Sequence, residues 1–333
     1  GRAVWTSGAK SDISLTAENI RFNTTNSRSI YADGGDVDIR ANENLILEMN
    51  SGYIDSKNSA KIDLEGKNIT ITCNGNKAMS SSNGGEINIG KNNGFAKAEI
   101  TGNIVAEGTG SVDVNFGTNG FLKGTVETSQ EAVTKLDFGT GSTWNLEGAS
   151  TVTSVAFGEG SVLEINGADF VYDATEGAVN TYALNGVGTA DVLKVDGKAN
   201  IKVEGIDYKK YNVATGFENE EVTTTYWNVS NLNSLMQGNW IGNAKDGLQL
   251  EVVAKAAEQM ATEMGVSSST AQSLNEVTSA AQNAGVKGDA NGTGSAKAVA
   301  FVEAMSGVDS KVAGQAFEAV SKMAEAGGNS ATA

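Results

Sequence analysis

Histidine and proline are missing from all 333 residues, cysteine occurs once, and aromatic residues make up only 6% of the chain. Each absence excludes something. Without histidine there is no Ser-His-Asp or Cys-His nucleophilic site and no zinc site of the usual ligand set. One cysteine cannot form an internal disulfide framework, the usual support of small extracellular proteins, so stability has to come from buried area. Without proline, no strand loses a ladder hydrogen bond to a ring nitrogen. No apolar run reaches the roughly 18 residues that a membrane-spanning helix needs. Charged residues are sparse at 19%, yet 40 acidic against 24 basic residues give a formal net charge of -16. That balance argues against nucleic acid and anionic membrane surfaces as partners, because phosphate binding takes clustered Lys and Arg. It favours solubility, repulsion between like molecules and cation uptake. The chain opens Gly1-Arg2-Ala3 rather than with Met and shows no signal peptide, from which we expect a processed piece of a longer polypeptide.

What is abundant is glycine, 41 residues, and a repeat. Val37-Asp38-Ile39, Ile62-Asp63-Leu64, Ile87-Asn88-Ile89 and Val112-Asp113-Val114 each start 25 residues after the one before. Apolar–polar–apolar triplets place two side chains on one face of a strand and the third on the other. A period of this length marks a solenoid, whose units bury their apolar faces on their neighbours. Ile13-Ser14-Leu15 extends the ladder upstream, and Leu136-Asp137-Phe138 and Leu163-Glu164-Ile165 extend it downstream with a slipped register. A second set follows at Ile20-Arg21-Phe22, Leu45-Ile46-Leu47, Ile69-Thr70-Ile71 and Trp144-Asn145-Leu146, and a third at Ile30, Ile54, Met79 and Ile104. Three strands per coil predict an all-β fold, a right-handed three-faced parallel β-helix of about ten coils of roughly 25 residues. Asn26, Asn50 and Asn74 read as one corner repeated.

Residues 1–165 read as regular coils and 166–252 as looser coils ending in a cap that contains Trp227 and Trp240. Residues 253–333 read as an α-helical region with a flexible end. The Ala-rich tail predicts helices over about 253–264, from Ser267–Thr270 to Asn283, over 295–305, and from Asp309 to 326. Their stops fall at Gly265, Gly285 and Gly327-Gly328, and Gly288-Asp289-Ala290-Asn291-Gly292 reads as a flexible link. Val299, Val302 and Met305, then Val312, Ala316, Phe317 and Val320, recur at the spacing of a buried helix face.

The stretch Asp191-Val192-Leu193-Lys194-Val195-Asp196-Gly197-Lys198-Ala199-Asn200-Ile201, followed by Tyr211-Asn212-Val213-Ala214-Thr215-Gly216, resembles the end of a passenger domain in type V autotransporters. There a D-x-L-x-V-x-G-x-A-x-I stretch precedes a Y-x-V strand and a capping segment. The helix around Ala304-Met305-Ser306-Gly307-Val308-Asp309-Ser310 is loosely similar to the one ahead of the membrane barrel, which opens on L-S-G-E in that family. The resemblance covers about residues 10–325, without a secretion signal or translocator barrel. It implies export through a Gram-negative outer membrane and an extracellular, surface-exposed location. It does not choose an activity, since such passengers include adhesins, self-associating proteins and enzymes.

Among the residues themselves, no nucleophilic site is readable. Cys73 continues the alternation of Ile69 and Ile71 and so points inward as a packing residue. Asp36, Asp38, Asp55, Asp63 and Glu86 are candidates for paired-carboxylate chemistry, which needs two carboxyls about 5 to 10 Å apart across a cleft. The outward column Asp38, Asp63, Asn88, Asp113 reads either as a solvated face or as a Ca²⁺ site, with Asp38, Asp63 and Asp113 as ligands. No other cofactor is implied. Cap or assembly contacts are expected at Trp5, Trp227, Trp240, Val299, Val302 and Phe317. The function expected is a non-enzymatic structural and adhesive rod that contacts a host or matrix surface or sister molecules, with homo-oligomers or filaments as a variant. The alternatives are a polysaccharide-active β-helix enzyme and a folding or export support segment of a larger passenger.

Overall fold

Alternating apolar triplets need neighbours above and below, and the computed structural model supplies them as a parallel β-solenoid of about nine turns followed by four helices. It describes residues 3–8, 11–25, 28–91, 96–188, 191–287, 293–305 and 307–330. Asn26 and the link at 288–292 lie outside the described residues. Two compact units result. One comprises Gly1–Glu204, Asn212–Asn228 and Gly242–Leu248; the other comprises Gly205–Tyr211, Val229–Ile241 and Gln249–Ala333.

In the first unit, registered parallel pairing stacks each triplet on the next. One face runs Ile13, Val37, Ile62, Ile87, Val112 and on to Thr134. The second carries an unbroken inward column of Phe22, Leu47, Ile71, Ile100, Leu122, Trp144, Leu163 and Ile201. Leu163-Glu164-Ile165 therefore belongs to the second face and not to the first, where its triplet pattern had placed it. The reason is coil length. Leu136 pairs with Val155, only 19 residues on, whereas Val155 pairs with Leu193 across a long insertion, so a fixed period misassigns the downstream triplets. The third face stacks Val4, Ile30, Ile54, Met79, Ile104 and Val126.

Beyond Val126 the third face is stitched by hydroxyls. Val126 N–H donates to Ser150 Oγ (2.9 Å) and Thr128 N–H to Thr151 Oγ1 (2.7 Å). At the adjoining first-face strand, Thr134 exchanges two bonds with Thr153, each backbone N–H donating to the other's hydroxyl. Such bonds satisfy buried backbone groups where a shortened coil pulls the strands out of ladder register. Inside the same coils the rings of Phe116, Phe138 and Phe157 stack at 4.3 and 5.3 Å between centroids, with Trp144 beside them. Trp227 closes the stack edge-on against Phe157 at 5.6 Å and is 1% exposed, so the cap expected there is a core side chain of this unit. Corner amides also stack. Asn44 Nδ2 donates to Asn19 Oδ1 (2.7 Å), and Asn68 Nδ2 to Asn44 Oδ1 (3.1 Å). The Asn74–Asn50 contact expected from the sequence is longer, at 3.5 Å.

The second unit departs from parallel order. Met236–Ile241 pairs antiparallel with Leu248–Ala254, setting Trp240 opposite Leu250. Residues 253 and 254, expected to open a helix, are the end of this strand, because Leu248, Leu250 and Val252 alternate inward. The helices are α1 (Ala257–Met264), α2 (Ser268–Lys287), α3 (Thr293–Ala304) and α4 (Ser310–Ser330). α1 ends where Gly265 turns left-handed at φ 70°. Ser267 Oγ accepts from Thr270 N–H and Asp309 Oδ1 from Lys311 and Val312 N–H, both N-caps as expected. Gly285 and Gly327-Gly328 do not stop their helices; α2 runs to Lys287 and α4 to Ser330. The buried face of α4 also differs from the expected one. Ala313 is buried while Val312 and Val320 are each 60% exposed, because α4 meets α1 through Gly314, where a Cβ would stand 2.0 Å from the Met264 carbonyl oxygen.

Candidate functional site

The strongest candidate lies outside the expected columns. On the outward side of the second face, Thr101, Lys123, Asn145 and Glu164 follow one another in register, directly beside the buried column that runs from Ile100 to Leu163. Where this face turns toward the third, Gly102 and Gly124 take φ of 121° and 146°, which disfavours any side chain. A Cβ on Gly124 would meet the Gly102 carbonyl oxygen at 2.7 Å. Stacked glycines leave the corner bare, and a polar groove opens along it.

The groove consists of two clefts of about 420 and 350 Å³ that share Lys123 and Glu147. Asn74, Asn76, Thr101, Asn103 and Thr125 line the first. Asn145, Glu164, Asn166, Asp169 and Glu204 line the second. Partners hold several of these groups in place. Asn103 Oδ1 accepts from Thr125 N–H (3.0 Å), Lys123 pairs with Glu147 (3.4 Å), Asn166 Nδ2 donates to Asp169 Oδ2 (3.0 Å), and Lys202 pairs with Glu164. Beneath, Trp144 Nε1 donates to the Gly124 carbonyl, tying the floor to the core. No aromatic side chain lines either cleft. Chemically this is a row of hydroxyl, ammonium, amide and carboxylate groups on strands about 4.8 Å apart, suited to an extended polyhydroxylated or polyamide chain. Sequence reading missed it because the signal, a polar residue after each inward apolar one, was spread over coils of unequal length.

The expected calcium column folds into a different object. Asp38 pairs with Arg40 (2.9 Å), Asp63 with Lys61 (3.1 Å), and Asp113 with Lys91 (3.2 Å). Asn88 Nδ2 also donates to Asp63 Oδ1 (2.8 Å). Each carboxylate already has a cation beside it, so the residues do not fit a Ca²⁺ site. Among the described residues no group of three or more acidic or cysteine side chains is placed to hold a metal. The stack relieves like-charge repulsion by interleaving opposite charge.

The candidate carboxylates divide between faces. Asp36 and Glu86 lie near the first-face column, where Asp36 Oδ1 accepts from Lys61 N–H and Glu86 Oε1 from Asn88 Nδ2. Asp55 is on the third face, 5% exposed, with Arg28 Nε 2.7 Å from its Oδ2. Burial pushes its carboxyl up, with Arg28 pulling the other way. Arg28 also reaches the Tyr53 hydroxyl and lies 4.6 Å over the Tyr31 ring. The Asp33 carboxyl is held down by donation from Asn58 and Tyr31 and by Lys57. These groups satisfy one another in a closed cluster. Trp5 stands opposite Tyr31 at the first coil and is 53% exposed. Cys73 is 5% exposed, faces inward, and has its thiol pushed up by burial. In the second unit, Val299 and Val302 line one cavity with Met236, and Phe317 packs against Phe301 at 5.5 Å.

Fold and groove together define a parallel β-solenoid protein with a C-terminal helical set. No family model, curated protein or solved structure matches the chain.

Proposed function

We propose that this chain is a non-enzymatic, surface-displayed or secreted passenger of the autotransporter type, acting as a structural and adhesive solenoid. The observation that carries the reading is the axial groove, which repeats polar groups at strand spacing on a stiff ladder and so suits contact with an extended polymer of a host or matrix surface. The motif residues behave as such a scaffold needs. Asp191, 0% exposed, accepts from Glu218 N–H through Oδ2 and from Asn219 Nδ2 through its carbonyl, tying one coil to the next. Two surfaces suit sister molecules. The strand Ile13–Thr24 carries Ile13, Leu15, Ile20 and Phe22 only half covered, and α4 exposes Val312, Val320 and Met323. Exposed strand edges with apolar faces pair with other strands, and a head-to-tail contact that does not close propagates.

Electron microscopy with light scattering on the purified chain, beside binding to immobilised glycans and matrix proteins, tests this. We expect defined oligomers or fibres, and surface binding that Lys123→Glu and Asn145→Ala weaken together. Monodisperse single molecules that bind none of these surfaces would overturn the proposal.

A second reading is favoured by one observation: Glu147, Glu164, Asp169 and Glu204 face the same cleft, as paired-carboxylate hydrolysis of a polysaccharide requires. Reducing-end release from a polysaccharide panel, lost in Glu164→Gln, would establish it. Absence of release across the panel would leave the adhesive reading.

A further inference from the structure

The corner that holds the first cleft continues over earlier coils. Lys77 is the register partner of Asn103, which lines that cleft, and follows directly on Asn76, which lines it too. Lys77 Nζ lies 5.5 Å from the centroid of the Tyr53 ring, and Arg28 Nε donates to the Tyr53 hydroxyl (3.2 Å). Arg28, Tyr53 and Lys77, one from each of three successive coils, are all half-buried.

The charge at this place is the reverse of the chain's net -16. Burial pushes the Asp55 carboxyl up, while Arg28, Lys57 and Lys77 all pull it down, so three cations converge on one carboxylate. Arg28 pairs with Asp55 (2.7 Å) and Lys57 with Asp33 (3.3 Å), and those two pairs are closed. Lys77 has the Tyr53 ring and, among the described residues, no carboxylate at ion-pair distance. Arg28, Lys57 and Lys77 against Asp33 and Asp55 leave one positive charge over. The Tyr53 hydroxyl accepts from Arg28, and its own O–H has no acceptor among the described residues. A leftover ammonium beside an unspent hydroxyl donor suits one anionic oxygen, since hydrogen bonds to ionised groups are the strong ones. Remote acidic residues oppose this weakly, because charges are screened over about 8 Å at physiological salt.

Beyond Lys77 the first cleft offers the uncharged Asn76, Asn103 and Thr125, and the second offers carboxylates. A polymer with an acid on every unit would meet those carboxylates and be repelled. An acidic peptide is out of step. Extended, it advances about 3.3 Å per residue and turns alternate side chains to one side, whereas the corner repeats at about 4.8 Å. A sugar chain carries hydroxyls on every ring, each able to donate and accept, and so can meet the amides at the spacing of the coils.

We propose that the groove binds an acidic glycan, with a single carboxylate or sulfate held by Lys77 and the Tyr53 hydroxyl and neutral sugar rings against Asn76, Asn103 and Thr125. This rests on the groove reading given above and names its ligand class. Arg28 is a positioning residue that fixes the Tyr53 ring.

Calorimetric titration of the full chain tests it, with xylotriose bearing one glucuronate as the probe and xylotetraose as its neutral control. The acidic oligosaccharide should bind about 10-fold more tightly, as one hydrogen bond to a charged group allows. Raising salt from about 50 mM to about 0.5 M should shrink that preference. Lys77→Gln should abolish it and leave xylotetraose unchanged, and Lys77→Arg should keep it. Tyr53→Phe should weaken the acidic probe about 5-fold. Sulfated lactose against lactose separates the two acids: a preference there assigns sulfate as well, and its absence assigns the carboxylate alone. Equal affinity for the acidic and neutral members of both pairs, or a preference that survives Lys77→Gln, would overturn the proposal and leave a groove for neutral glycans. Binding of none of the four sugars would overturn it together with the glycan reading of the groove.

Discussion

Asn44 sits between Asn19 and Asn68 and bonds to both, so its amide links three coils at one corner. Asn44→Ala should cost about 1–2 kcal/mol in urea unfolding, since two partly exposed bonds are lost at the ordinary net value each. Tyrosine ionisation offers a second reading of local environment. Tyr211 and Tyr226 are pushed up to about 12 by burial, with the Glu220 carboxylate adding to the effect at Tyr226. Their neutral form is favoured in the fold, so this contribution is complete below the unfolded value of 10 and is lost as pH rises from 10 to about 12. Unfolding measured across that window should show a loss of stability that Tyr211→Phe reduces. The acidic column gives an opposite kind of expectation. Because Arg40, Lys61 and Lys91 stand beside Asp38, Asp63 and Asp113, adding calcium or a chelator should leave the melting temperature unchanged; a rise with calcium would refute the ion-pair account.

Elements show where packing overrides pattern. Phe116, Phe138 and Phe157 stack up successive coils because those coils shorten to 22 and then 19 residues and bring the aromatic positions into one column. Phe138→Ala should therefore cost about 3–5 kcal/mol, more than an average core truncation, since it opens the middle of the stack. Gly314→Ala is the matching test on α4. Its Cβ would fall 2.0 Å from the Met264 carbonyl oxygen, so helix propensity would improve while the α1–α4 crossing would be forced apart. The melting of the helical unit should fall, and an unchanged melt would mean that α4 is not held at that crossing. Much of this level was legible beforehand. The triplets of the first four coils, the inward Cys73 and the caps at Ser267 and Asp309 all follow from local pattern. The second-face position of Leu163 and the exposed Val312 do not, because each depends on a partner distant in sequence.

For the whole molecule, an acidic chain with a net charge of -16 combines a registered ladder with a thin Ala-rich helical set. Ladder amides are buried among coils above and below, whereas the helices bury mostly small side chains such as Ala271, Ala281, Ala298 and Ala313. Hydrogen exchange should accordingly be slowest along the column from Leu47 to Leu163 and faster through α3 and α4.

Composition and period by themselves determined the solenoid. A chain without proline, rich in glycine, and repeating apolar triplets every 25 residues has one economical way to bury those side chains, and the absence of histidine removed Ser-His-Asp and Cys-His sites and zinc sites of the usual ligand set. Tertiary structure alone decided the groove, the aromatic stack and the cavity beside Met236. Each is made by residues from several coils or from distant segments, whose meeting is fixed by coil length and strand register, quantities that no local pattern carries.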